Sequence, residues 1–81
     1  MQIAVHFYSY FKELAGCAET NVTVKQPATL EDLLNELSRR FPKWANMRNS
    51  TLIAVGVEYQ GRDYTLKPGD EVSLFPPVQG G

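Results

Sequence analysis

The chain has 81 residues, with 8 basic and 9 acidic side chains and a formal net charge of −1 at pH 7. A domain of this size buries only roughly 60 % of its unfolded surface, so a core, a deep substrate cleft and a cofactor domain do not fit together. The lack of a basic surplus argues against nucleic-acid binding. The 43 % of apolar residues indicates a globular chain rather than a disordered one.

The sequence also bears on location. No apolar run approaches the ~20 residues of a membrane-spanning helix, and residues 1–4 show no sign of a secretory signal peptide. The single cysteine, Cys17, cannot form an internal disulfide, which fits a reducing compartment. We therefore expect a cytoplasmic protein that does not bind a membrane.

The first part of the chain predicts two strands around a short helix. Residues 2–8 alternate between apolar side chains and a more polar set, which is typical of a half-buried strand. Ser9 is predicted to cap a helix over Tyr10–Ala15, and Gly16 to end it. Thr20–Lys25 alternates again, so the two strands are predicted to form a hairpin.

A longer helix follows. Thr29 and Asp32 resemble a capping box, with Asp in place of the usual Glu. The apolar residues that follow at helical spacing form one stripe; they are Leu30, Leu33, Leu34, Leu37 and Phe41. Pro42 predicts that the helix ends at about Phe41.

The second half of the chain predicts strands separated by turns. Residues 43–50 indicate a turn or a short helix, in which Trp44 is expected to close the core, and Thr51–Val57 is a dense apolar run that predicts a strand. Residues 60–63 predict a turn. Lys67–Asp70 has the Pro and Gly positions of a type II turn, and Glu71–Phe75 is the last predicted strand.

This order of elements predicts an α+β fold. A single amphipathic helix of about three turns covers only one face of a sheet. The other face must therefore meet water or a partner, which is where we expect a binding surface.

The chain closes with a segment that differs from the rest. Pro76 and Pro77 cannot donate hydrogen bonds to a sheet, so they are expected to end it and to point the tail away from the body. Gly80 and Gly81 have no side chains and could thread a narrow channel. We divide the chain into a folded domain, 1–75, and an extended tail, 76–81. From these residues alone, the tail is either a frayed end or a functional group.

A resemblance decides between these two interpretations. Residues 66–81, LKPGDEVSLFPPVQGG, resemble the closing signature of the small subunit of molybdopterin synthase, the MoaD family of the MoaD/ThiS ubiquitin-like group. Residues 11–16, FKELAG, and 29–34, TLEDLL, resemble the family's first helix and the start of its long helix. The similarity covers essentially the whole chain. One departure is Gly56, where the family often has Asn; here Gly suggests a bulge.

The resemblance implies a β-grasp, ubiquitin-like fold: a mixed sheet with parallel, adjacent first and last strands, one long helix on one face and a flexible tail. Phe75, His6 and Tyr8 would then share the uncovered face, either as a docking surface or as ordinary surface aromatics. The residues that we assign to partner binding are Phe75, Pro76, Pro77, Val78, Tyr8 and His6.

The resemblance also implies an activity. A ubiquitin-activating-like adenylyltransferase would use ATP to adenylate the Gly81 carboxylate, with Gly80 as its flexible neighbour. A sulfur donor of the cysteine desulfurase or rhodanese type would then convert it to a thiocarboxylate. The large synthase subunit would receive the tail and transfer its sulfur to the pterin precursor, forming the dithiolene of molybdopterin.

In this scheme the chain is a non-catalytic sulfur-donor subunit. It binds no cofactor or metal of its own, and ATP belongs to the activating partner. Two carriers and two large subunits are expected to form a heterotetramer. Catalysis by Cys17 and a metal-binding role for His6 are disfavoured, because neither residue has a supporting pattern around it.

Three alternatives stay open. The chain could carry sulfur for another pathway, such as the thiazole of thiamine, although such relatives are typically shorter and lack Pro-Pro-Val. It could be a ubiquitin-like modifier joined to lysines through the same carboxyl group. It could also be an interaction domain with an inert tail.

Overall fold

The computed structural model describes residues 1–77. A five-stranded mixed sheet has the spatial order β2-β1-β5-β3-β4. The strands are β1 (Gln2–Phe7), β2 (Glu19–Thr23), β3 (Leu52–Val55), β4 (Glu58–Tyr59) and β5 (Glu71–Phe75). The helices are α1 (Phe11–Ala15), α2 (Leu30–Arg40) and α3 (Pro42–Ala45), followed by a 3₁₀ turn at Arg48–Ser50. This is the predicted β-grasp architecture.

The centre of the sheet is the pairing of its first and last strands. β1 and β5 run parallel, with Val5 opposite Val72. β1 also pairs antiparallel with β2, and β3 pairs antiparallel with β5. The predicted hairpin and the predicted parallel pair are therefore both confirmed.

The hydrophobic core lies between the sheet and the helices. Alternate residues of β1 and β5 point into it, which is the period of two expected of strands with one buried face. The side chains with at most 1 % exposure are Ile3, Val5, Phe7, Phe11, Val22, Leu30, Leu33, Leu34, Leu37, Trp44, Val72 and Leu74. The four leucines of the predicted helix stripe and the predicted packing role of Trp44 are confirmed. Phe41, the fifth predicted member, is half-buried and packs against the core from just beyond the helix.

The start of α2 is fixed by its own side chains. The Thr29 hydroxyl accepts a hydrogen bond from the Asp32 N–H at 3.3 Å, and the Asp32 carboxylate accepts one from the Thr29 N–H at 2.8 Å. Each bond satisfies a backbone donor that the first helical turn leaves free. The helix ends at Arg40, with Phe41 as its cap, close to the predicted boundary.

The predicted cap of the first helix is wrong. Ser9 has φ +57°, and Tyr10 is the N-cap of α1, with no side-chain hydrogen bond. Ser9 instead turns the chain directly out of β1 through the left-handed region, and its carbonyl accepts a hydrogen bond from Lys12 N–H at 3.1 Å. The predicted stop at Gly16 is confirmed, because Gly16 adopts φ +76°.

Two strand boundaries also differ from the prediction. β2 is Glu19–Thr23 rather than Thr20–Lys25. The predicted strand at residues 51–57 ends at Val55, because Gly56 has φ +62° and begins a tight turn. The chain then returns antiparallel to β3 as β4. Gly56 therefore marks a hairpin turn, not the bulge suggested by the sequence.

The turn before β5 is held by an aspartate. The Lys67 carbonyl accepts a hydrogen bond from Asp70 N–H at 3.0 Å, and Gly69 has φ +89°, as the predicted type II turn requires. The Asp70 carboxylate accepts further bonds from Lys67 N–H at 2.8 Å and from the Tyr64 hydroxyl at 3.0 Å. These bonds fix the entry of β5 into the centre of the sheet.

Candidate functional site

The open face of the sheet is apolar where β5 ends. Phe75 lies opposite Leu52 of β3, and Ala54, two residues further along β3, lies opposite Tyr59 of β4. Because residues of equal parity share a face, this register places Leu52, Phe75 and Tyr59 on the side away from α2. Tyr8 joins them, since it follows β1 on the same parity.

The aromatic rings make defined contacts with one another. Tyr8 and Phe75 stack with centroids 4.7 Å apart and planes 12° apart. Tyr59 meets Phe75 edge-on, with centroids 6.5 Å apart and planes 68° apart. Tyr8 is 43 % exposed and Tyr59 is 70 % exposed. Such preorganised aromatic side chains are typical of the central residues of protein interfaces.

These rings form one wall of a shallow groove at the exit of the tail, which we call the exit groove. It is lined by Tyr8, Ser9, Tyr10, Leu52, Tyr59, Phe75, Pro76 and Pro77. The structure thus brings four predicted partner-binding residues together: Tyr8, Phe75, Pro76 and Pro77.

Sequence reasoning missed the other half of the groove. Leu52 gave no usable signal, because residues 52–55 are all apolar and their sequence does not indicate which of them faces outward. Tyr59 was not found because the hairpin turn at Gly56 was not recognised. Tyr10 was assigned to a helix, whereas the left-handed Ser9 places it at the groove.

His6 lies on the same face but not in the exit groove. Its Nδ1 is 3.3 Å from a Glu19 carboxylate oxygen, and its Nε2 is 3.3 Å from one of Glu71. The imidazole therefore bridges the strands on either side of β1. Its role in partner binding stays a prediction.

The ladder between β1 and β5 ends where the tail begins. Tyr8 N–H donates to the Leu74 carbonyl at 3.1 Å, so the next bond of a parallel ladder would run from residue 76 to the Tyr8 carbonyl. Pro76 has no N–H to donate. The Tyr8 carbonyl instead accepts a bond from Phe11 N–H at 3.2 Å. Both strands thus end together without leaving this carbonyl unpaired.

Three predicted site residues, Val78, Gly80 and Gly81, lie outside the described residues, and their roles stay predictions. Within residues 1–77, no group of three or more His, Cys, Asp and Glu side chains converges as a metal site. Cys17 is a half-buried free thiol that packs against the core. The part of the chain described contains no helix long and apolar enough to cross a membrane.

A profile of the ThiS family matches residues 5–81. The chain belongs to the ThiS family. It is also 36 % identical to the molybdopterin synthase sulfur carrier subunit of Escherichia coli K12, over 98 % of this chain and 99 % of that protein. The resemblance seen in the sequence is therefore confirmed.

Solved structures of similar proteins share the fold. A putative molybdopterin converting factor subunit 1 from Pyrococcus furiosus has a TM-score of 0.88 at 30 % identity, covering 96 % of this chain and 99 % of that one. SAMP1, a small archaeal modifier protein from Haloferax volcanii, has a TM-score of 0.88 at 25 % identity and full coverage of both chains. Proteins with this fold thus carry names from two functional classes.

Proposed function

We propose that this chain is the sulfur carrier subunit of a molybdopterin synthase. The observation that carries the proposal is the full-length similarity to a sulfur carrier subunit from Escherichia coli, at 36 % identity. The exit groove supports it, because an exposed aromatic surface at the root of the tail is where a receiving protein would have to dock.

The proposed chemistry takes place at the Gly81 carboxyl group. A carboxylate is a poor electrophile and must first be activated. Its oxygen attacks ATP on the activating partner, pyrophosphate is released, and the group becomes an acyl adenylate. The persulfide of the sulfur donor then displaces AMP and forms an acyl disulfide. A second thiol attacks the donor's sulfur in that disulfide, forms a new disulfide with it and releases the thiocarboxylate. This anionic sulfur attacks a carbon of the pterin precursor and displaces an oxygen substituent from it. Hydrolysis of the acyl–sulfur bond then leaves the sulfur on the pterin and returns the carboxylate.

The carrier's own contribution is positional. A sulfur atom on a tail that is anchored by a docked domain reaches the acceptor at a high effective concentration, which free sulfide would not. Phe75, Tyr8 and Tyr59 supply the docking surface, and Gly80, which has no side chain, precedes the reactive carboxyl group of Gly81. The division into a folded domain, 1–75, and a tail, 76–81, is part of this proposal.

The partners follow from this cycle. They are the large synthase subunit, an adenylyltransferase that binds ATP, and a sulfur donor of the cysteine desulfurase or rhodanese type. In this scheme the carrier itself binds no cofactor, and it works in the cytoplasm in a complex of two carriers and two large subunits.

Intact-mass analysis tests the proposal. The chain is co-expressed with its activating enzyme, and we expect the mass gain of one sulfur-for-oxygen exchange at Gly81. A variant lacking Gly81 is the control and should show no gain. A loaded wild-type protein that fails to convert the pterin precursor with the large subunit would contradict the assignment to molybdopterin synthesis and would favour another pathway, such as thiamine thiazole.

A second candidate function is protein modification. The similarity to SAMP1, at 25 % identity over the full length, favours it. The same acyl adenylate would then react with a lysine amine and form an amide bond. This function predicts high-mass conjugates in cell extracts that disappear when Gly81 is deleted.

A further inference from the structure

The two prolines after β5 do not leave the body at once. Pro76 and Pro77 are both half-buried and line the exit groove together with Tyr8 and Tyr10. The sequence had predicted that they point the tail away. Their half-burial instead places both prolines at the surface of the folded domain, on the groove that Tyr8 and Tyr10 also line.

The segment beneath the prolines has an unusual backbone. Ser9 adopts φ +57°, which is uncommon and energetically unfavourable for a residue with a side chain. This conformation stops β1 and turns the chain straight into α1, so Tyr10 stays at the end of the sheet where β5 also ends. An ordinary strand residue at position 9 would carry Tyr10 further along the β1 direction.

The Tyr10 ring also packs against a core residue. Its ring meets Phe11 edge-on, with centroids 5.3 Å apart, and Phe11 is fully buried. Tyr10 itself is 41 % exposed. A ring with one side fixed on the core and the other side free is a rigid surface rather than a core residue.

We infer that Tyr8-Ser9-Tyr10 is a seat for Pro76-Pro77 and that Tyr10 is a positioning residue for sulfur transfer. The seat fixes the point and the direction from which the reactive tail extends. The expected effect on sulfur transfer rests on the proposed function. The contact between Pro76-Pro77 and Tyr8-Ser9-Tyr10 does not depend on it.

The seat sets the reach of the tail. A chain extends by at most ~3.3–3.6 Å per residue, so the four residues after Pro77 span about 13–14 Å, whereas the six after Phe75 would span about 20–22 Å. With the prolines seated, the sulfur explores a smaller volume around one direction. Its effective concentration at an acceptor in that direction rises accordingly.

The contact is tested first in the free protein. We expect nuclear Overhauser effects between the Tyr10 ring protons and the ring protons of Pro76 or Pro77. The buried Phe11–Trp44 pair, whose centroids are 6.4 Å apart, is the internal reference for a contact within the body. Absence of any effect between Tyr10 and either proline would overturn the inference, whatever the chain's function.

The catalytic consequence is tested with thiocarboxylated carrier and the large subunit. Tyr10→Ala should slow single-turnover sulfur transfer at saturating large subunit by about tenfold, within the ~100-fold that a 1 Å misplacement can cost. The dissociation constant of the complex should change less than about twofold, because docking relies on other rings. Tyr10→Phe keeps the ring and should transfer at the wild-type rate.

Other outcomes decide against the seat. If Tyr10→Ala weakens binding but transfers normally at saturation, Tyr10 is an ordinary docking residue. If neither quantity changes, the seat has no role. Melting temperatures of both variants check that the fold is intact. If the wild type transfers no sulfur at all, the proposed function fails, and the magnetic resonance result still decides whether the seat exists.

Discussion

The two faces of the central strands have opposite properties although they share one backbone. On the helix side, Val5, Val72 and Leu74 are fully buried. On the open side, Tyr8 is 43 % exposed, and Phe75 is half-buried beside it. Neighbouring residues along the chain thus have opposite surroundings. This difference predicts that stability and partner binding can be altered separately by choosing the parity of the mutated residue.

Two adjacent substitutions test whether the two faces contribute differently to stability. Phe7 is 1 % exposed and meets Phe41 edge-on at 5.3 Å, so Phe7→Ala should lower the free energy of unfolding by about 3–5 kcal/mol. Tyr8→Ala removes one stacked pair on the open side and should cost about 0.5–1.5 kcal/mol. Urea unfolding followed by circular dichroism measures both. Equal losses would show that the two faces do not differ.

A binding measurement tests whether the open face is the docking surface for the large subunit. Phe75 is in contact with both Tyr8 and Tyr59, so Phe75→Ala should weaken binding to the large subunit by about 2 kcal/mol, or roughly thirtyfold in the dissociation constant. Val57→Ala is the control, because Val57 is 99 % exposed at the opposite end of β3. Calorimetric titration that finds both variants at wild-type affinity would exclude Phe75 as a docking residue.

A smaller effect is expected at the start of α2, on the helix side. Thr29→Ala removes the hydroxyl that caps Asp32 N–H and should cost about 1 kcal/mol of stability. Thr29→Ser keeps the hydroxyl and should stay close to wild type. Thermal unfolding measures both, and binding to the large subunit should not change. A loss of affinity in Thr29→Ala would link the two faces.

The smallest effect concerns pH and the turn before β5. Burial of the Tyr64 ring and its hydrogen bond to Asp70 raise the pKa of Tyr64 above the ordinary 10.0. Because the folded state holds this proton more tightly, the stabilisation is complete below pH 10 and is lost as pH rises through the folded-state pKa. Tyr64→Phe should therefore lose less stability than the wild type on going to strongly alkaline pH. Identical alkaline unfolding profiles would refute this.

Much of the fold was predictable from local patterns. The Thr29–Asp32 capping box, the leucine stripe of α2 and the Gly69 turn each depend on residues close in sequence, and all three are confirmed. The end of the apolar run at Val55 was not predictable in this way, because its composition continues through Val57 while the left-handed Gly56 reverses the chain.

The candidate site was only half predictable for a related reason. Phe75 and Tyr8 follow from strand parity and the parallel pairing that the resemblance implied. Tyr59 and Leu52 join them only through the register of three strands, which no local pattern reports. Tyr10 depends on the single left-handed residue before it, and a serine gives no clear signal of that conformation.

The central strand of the sheet, β5, is synthesised after the strands that it joins. β5 joins β1 to β3, yet it follows the other four strands of residues 1–77, so the ribosome releases it after all of them. An incompletely synthesised chain therefore has neither a closed sheet nor the aromatic surface beside Phe75. A partner that recognises this surface, as proposed above, is therefore expected not to bind truncated chains that lack β5.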